Sequence, residues 1–190
     1  MRKRLGLTGL AVCAFMLMLA VAGHAEEVYY SRCNLKVLPK GNQITWTNWQ
    51  STPSFIPVGT KLKVTVSNDK ATFVDDKGAS YPVDLGASGQ EFLEKFVTKR
   101  DIDVAKTGGK FAGDIKGAVI RVGMTKEQAY MAMCMPAYIN GKNSTEKAVY
   151  KDIMAANQWV YKRSRFGKNI GIEFDAGSGL VSRTEGIWSK

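Results

Sequence analysis

Residues 123–136 carry a complete set of helix start and stop signals, and this unit limits the fold more than any other stretch. Gly123 ends the apolar, strand-like run 118–122. Thr125 and Gln128 stand three apart as a T-x-x-Q capping box, in which each side chain can satisfy the other's backbone N–H. Glu127 places a negative charge in the first turn, where the helix dipole favours it. Pro136 has no N–H and disfavours helical geometry at Met135, so the helix must stop there. A short, well-bounded helix with strand-like sequence on both sides predicts an α+β fold.

The amino terminus predicts where that fold works. Arg2, Lys3 and Arg4 precede an uncharged apolar run over 5–21, and Gly23-His24-Ala25 supplies small residues at a cleavage position. The stretch 1–25 reads as a secretory signal peptide, with Glu26 opening the exported chain. The alternative is an uncleaved anchor, because the run approaches the roughly 20 residues that span a bilayer. Cys13 is not expected to be lipidated, since Val12 is large for the preceding position and the apolar run continues past it. Removing 1–25 removes His24, the only histidine, which excludes Ser-His-Asp and Cys-His chemistry and histidine-ligated metals. No catalytic residue, metal site or cofactor is expected. Three cations also leave, so 24 basic residues face 17 acidic ones, a net +7. Such a charge either keeps the protein soluble or suits anionic envelope surfaces, and nucleic acid is not expected as a partner of an exported chain. Cys33 and Cys134 remain in an oxidising compartment. They either pair, for roughly 3–5 kcal/mol of stability, or stay as two buried thiols.

Residues 26–86 read as a run of short strands. The candidates are 28–30, 34–38, 43–49, 61–66 (Leu62, Val64 and Val66 inward), 71–74 and 81–85, separated by polar turns. Many short strands in so few residues suit a small, partly open barrel. Pro57-Val58-Gly59-Thr60 before a strand and the Asp76-Lys77-Gly78 hairpin resemble bacterial SH3-like modules. Trp46, Trp49 and Tyr81 either fill such a barrel or hold a peptide or glycan. Residues 87–109 form a linking segment. Ser88 and Glu91 make a second capping box for a helix burying Phe92, Leu93, Phe96 and Val97, and the glycine-bearing stretch 101–114 is expected to be a loop. Beyond Pro136 come a turn at 140–143, a helix with Val149, Ile153 and Met154 on one side, and a three-stranded antiparallel meander. Its strands are 158–166, 169–174 (Ile170, Ile172 and Phe174 facing one way) and 180–183.

In that order, Gly-Met-Thr-Lys-Glu-Gln at 123–128, Pro136, Trp159-Val160-Tyr161, Ile172-Glu173-Phe174 and Gly179-Leu180-Val181 resemble the BamE (SmpA/OmlA) domain of outer-membrane assembly lipoproteins. The resemblance covers 110–190. It implies a two-helix layer on a three-stranded antiparallel sheet, and contacts with envelope proteins and anionic lipid. The chain departs from that family in three ways. The lipidated cysteine is missing, the connection 137–157 is longer, and Cys134 stands where the family has glycine two residues before the proline. A cysteine there must avoid positive φ or be held in it, and a bond to Cys33 would rationalise the substitution.

Trp159, Tyr161, Arg163 and Arg165 share one strand face by the period-2 rule. They either grip a phosphate head group or an acidic segment, or divide into packed aromatics and solvated arginines. The sequence therefore predicts an SH3-like barrel followed by a BamE-like domain. The expected protein is exported and not lipidated, periplasmic or associated with the outer membrane. It is expected to act as a non-enzymatic binding or scaffold factor for envelope proteins, with anionic phospholipid or cell-wall glycan as further partners. The rival expectation is a secreted inhibitor or ligand-binding module with a single protein or glycan target.

Overall fold

A computed structural model of the chain describes residues 27–185, except Ser88 and Lys142. The signal segment 1–25, with Cys13 and His24, and the capping role of Ser88 lie outside the described residues. So does the Lys142 position of the 140–143 turn.

The fold is mixed α+β, with antiparallel sheets and, among the described residues, four short α-helices. The first sheet joins β1 (Glu27–Ser31), β4 (Lys61–Ser67), β5 (Lys70–Val74), β6 (Ser80–Asp84) and β7 (Val97–Thr98) in the order β6-β5-β4-β1-β7. Leu62, Val64, Ala71, Phe73 and Val83 point inward along these strands, and Lys63 and Thr65, between Leu62 and Val66, point out. β2 (Leu35–Val37) and β3 (Ser54–Ile56) pair separately as a two-stranded ribbon. Among the described residues β6 and β7 remain edges of the first sheet, so no closed barrel forms. The second sheet has the order β12-β11-β10-β8-β9. It joins β8 (Tyr138–Ile139), β9 (Asn143–Ser144), β10 (Gln158–Tyr161), β11 (Ile170–Phe174) and β12 (Val181–Glu185), with every pairing antiparallel. The expected three-strand meander is its β10-β11-β12 half, and Ile170, Ile172 and Phe174 all face inward. The short strands β8 and β9 extend it.

Four sequence expectations are corrected. Residues 43–49 form no strand, only isolated bridges at Gln43 and Ile44. Here side chains satisfy the backbone in place of a ladder: Asn48 Oδ1 takes the Lys36 N–H and Thr45 Oγ1 donates to Thr47 O. Residues 101–114 are largely helical, with α1 (Val104–Gly108) and α2 (Ala112–Lys116) around a 3-10 turn. Asp103 caps α1 by accepting from the N–H groups of Ala105 and Lys106. The run 118–122 is irregular, with Ala118 at φ 57°. The linking helix is a 3-10 helix over Gly89–Lys95, and Val97 continues into β7.

The central helix α3 (Lys126–Met133) carries the predicted capping box. Thr125 Oγ1 accepts from Gln128 N at 3.2 Å, and Gln128 Oε1 from Thr125 N at 3.0 Å. Gly123, at φ 89°, turns the chain into it while its N–H pairs with Val181 O, tying the helix start to β12. The helix is buried on every side from Ala129 to Met133, which marks it as an internal element. Its carboxyl end leaves carbonyls that need donors, and both halves of the chain supply them. Asn34 N bonds Met131 O and Asn34 Nδ2 bonds Ala132 O. Asn48 Nδ2 and Gln50 Nε2 bond Met133 O, and Tyr161 OH bonds Cys134 O. Cys134 closes the helix at φ 62°, ψ −151°, a region that disfavours any residue but glycine. It is bonded to Cys33, 101 residues away, with the Cα atoms 5.0 Å apart.

One continuous buried cluster runs from Cys33 to Val181. Leu93, Phe96, Val97, Ile102 and Val104 belong to it, so the segment 87–109, expected as a linker, contributes side chains to the core. Helix α4 (Tyr150–Ala155) meets β10 where Trp159 Nε1 donates to Ile153 O. No helix of the described residues is long and apolar enough to cross a membrane.

Candidate functional site

Most polar side chains inside the fold are spent on holding it together. Lys95 is fully buried on the 3-10 helix, with its ammonium donating to Thr145 O at 2.8 Å and lying 3.4 Å from the Phe92 ring centre. Burial pulls its pKa down to about 7, partly opposed by the Glu146 carboxylate. Its carbonyl accepts from Tyr130 OH. Burial also raises Tyr130 and Tyr161 well above the ordinary phenol range, so both stay protonated and act as donors.

That interior absorbs two of the expected site residues. Trp159 and Tyr161 are fully buried, stacked edge to face among Tyr130 and Phe174, with their polar ends on the Ile153 and Cys134 carbonyls. The period-2 argument that joined them to Arg163 and Arg165 fails for a definite reason: β10 ends at Tyr161. The arginines belong to the loop 162–169 that joins β10 to β11. Trp46 is half-buried and packs against the core beside Gly86, away from that loop. Trp49 is half-buried at the loop's base.

The surface feature that stands out is the hairpin loop itself. Its sequence, Lys162-Arg163-Ser164-Arg165-Phe166-Gly167-Lys168-Asn169, holds four cations and no carboxylate. Phe166 at its tip is 92% exposed, the most exposed large apolar side chain among the described residues. Arg165 lies 5.5 Å from the Phe166 ring, and no described carboxylate pairs with Arg163, Arg165 or Lys168. The base is fixed. Gln50 N and Ser51 N donate to the carbonyls of Lys162 and Arg163, and the Lys162 ammonium sits between the Tyr138 and Trp49 rings, 5.2 and 6.0 Å from their centres. The structure thus brings Trp49, Arg163 and Arg165 to one loop and excludes Trp46, Trp159 and Tyr161. Lys162 and Phe166 were missed because 158–166 read as one strand, and Lys168 because 167–168 read as the turn after it. The signal was present as an apolar residue between cations immediately before Gly167-Lys168.

A second concavity, of about 560 Å³, lies between the β2-β3 ribbon and the first sheet, lined by Phe55, Pro57, Tyr81, Asp75 and Asp76. Asp75 is structural: slight burial would raise its pKa, but bonds from Ala79 N, Tyr81 OH and Lys77 N outweigh that and hold it below the usual range. Among the described residues no three His, Cys, Asp or Glu side chains gather as metal ligands. No family model, curated protein or solved structure matches the chain.

Proposed function

We propose that this is an exported, non-enzymatic binding protein of the cell envelope that docks on anionic surfaces through the 162–169 loop. The exposed Phe166 among four unpaired-by-carboxylate cations carries this reading. Each cation near an anionic membrane is worth about 1 kcal/mol, and burying one phenyl ring about 2 kcal/mol more. Together these give reversible docking of roughly 4–6 kcal/mol, which suits a scaffold contact. An apolar tip enters the interface while its cationic flank stays at head-group level. The BamE-like reading of 110–190 agrees with the same role. It is supported by the order of the capped helix, α4 and the β10-β11-β12 meander. The SH3-like reading of 26–86 rests on the short antiparallel strands alone.

The test is flotation of protein beginning at Glu26 with phosphatidylglycerol-containing and with phosphatidylcholine-only vesicles. Wild type should float with the first and not the second, and Phe166→Ser with Arg165→Gln should cut recovery by tenfold or more. Wild-type protein that floats with neither, and pulls down no envelope protein, ends the proposal. The second reading, a ligand-binding or inhibitor module, is favoured by the aromatic cleft at Phe55, Pro57 and Tyr81. A stable one-to-one complex with one exported protein, lost on Tyr81→Ala, would support it.

A further inference from the structure

A third concavity, about 320 Å³, opens beside the loop base where the amino-terminal ribbon faces the second sheet. Lys36 on β2, Ser51 and Arg163 line it, together with Gly117, Ala118 and Val119. Lys36 is only 8% exposed, yet among the described residues no carboxylate or carbonyl accepts from its ammonium. It lies over the Phe55 ring, 4.7 Å from the ring centre. A buried ammonium without an acceptor is costly, and native proteins rarely keep one without a counter-charge. Burial lowers the Lys36 pKa, as expected for a charge short of a partner.

The remaining lining favours an anion. No acidic residue contributes to it. The carbonyls at the end of α2 are occupied, since Gly113 O, Asp114 O and Ile115 O accept from the N–H groups of Gly117, Val119 and Ala118. The Gln50 amide has spent its hydrogens on Asn48 O and Met133 O. The Ser51 hydroxyl is the neutral donor left, since Ser51 N is engaged by Arg163 O. Lys36, Arg163 and Ser51 reach this lining from separate elements, and an ammonium, a guanidinium and a hydroxyl together suit an oxyanion with several oxygens.

We propose that this pocket binds a phosphate group, with Lys36 as the buried charge, Arg163 as the exposed clamp and Ser51 as the neutral donor. The site shares Arg163 with the 162–169 loop, but Phe166 is not part of its lining and it needs no membrane, so it can be tested apart from the docking proposal. The phosphate comes from a soluble monoester or from a lipid head group, and the two are separable by experiment.

The experiment is calorimetric titration of protein beginning at Glu26 with inorganic phosphate and with glycerol 1-phosphate, at fixed ionic strength set by chloride. Both should bind. Equal affinities identify a general phosphate pocket, and tighter binding of glycerol 1-phosphate identifies a head-group site. Lys36→Met should fold, because it removes a buried charge. It should weaken either ligand tenfold or more, whereas Lys36→Arg, which keeps the charge, should lose less. Phe166→Ser should leave both titrations unchanged. Absence of binding by wild type, or equal binding by wild type and Lys36→Met, overturns the proposal. Neither outcome touches vesicle flotation through Phe166.

Discussion

Lys95 offers a stability measurement whose sign and size both follow from its surroundings. The side chain is fully buried, and burial takes its pKa from 10.5 to about 7 in the folded protein. Between those values the unfolded chain holds a proton that the folded chain lacks. Stability therefore rises as pH climbs through this window, by up to about 1.4 kcal/mol per pH unit. Below about pH 7 both states are charged and the full cost of burying the ammonium remains. Lys95→Met removes the titrating group, and with it the ammonium's contact with the Phe92 ring, while keeping most of the apolar stem. It costs the bond to Thr145 O, but that carbonyl still accepts from Ala148 N at 3.2 Å. Urea unfolding of both proteins at several values between about pH 6 and pH 9 isolates the effect. The difference between wild type and variant cancels other groups, including Lys36. The upper limit avoids the buried tyrosines, whose raised pKa values lower stability above their ordinary range. The variant should be about 1–3 kcal/mol more stable at the acid end, and the gap should shrink by about 2 kcal/mol toward the alkaline end. Parallel pH curves would show that the Lys95 ammonium reaches solvent, and would refute this reasoning.

Two further perturbations probe the junction at the end of α3. Replacing Cys33 and Cys134 with alanine should cost about 3–5 kcal/mol, because the bond closes a loop spanning 101 residues. The pair Cys33→Ala with Cys134→Gly should recover about 1 kcal/mol of that in thermal unfolding, since position 134 sits at φ 62°. Asn34→Ala strips donors from Ile115 O and Ala132 O and the acceptor from Val58 N, all buried. It should lower the unfolding free energy by about 2–4 kcal/mol in urea titration, and no loss would mean that the two halves are not stitched there.

What the sequence disclosed was what is encoded locally. The Thr125–Gln128 box, the 62-64-66 alternation and the 170-172-174 alternation each need only residues a few positions apart, and all three stand in the structure. Features made by distant partners were not legible. Asn48 reads as one more polar residue in a β-rich run until Lys36 and Met133 stand beside it and displace the strand. Gly108 and Gly109 hid two short helices, the first of which the Asp103 cap starts. Trp159 and Tyr161 joined Arg163 on paper only because the point where β10 ends is set by its pairing with β11. The burial of Lys36 and Lys95 has no sequence signature, since each is covered by elements from elsewhere in the chain.

The central claim is that the tip of the 162–169 loop enters an anionic interface, and a reporter at position 166 tests it most directly. Phe166→Trp keeps an aromatic ring at the most exposed apolar position of the described residues. Its emission is read as the difference spectrum against wild type, with vesicles carrying brominated lipid chains. The account predicts a blue shift and quenching with phosphatidylglycerol vesicles, both lost in high salt and absent with phosphatidylcholine alone. Emission that stays at the wavelength of a solvent-exposed indole and is unquenched with anionic vesicles would contradict it.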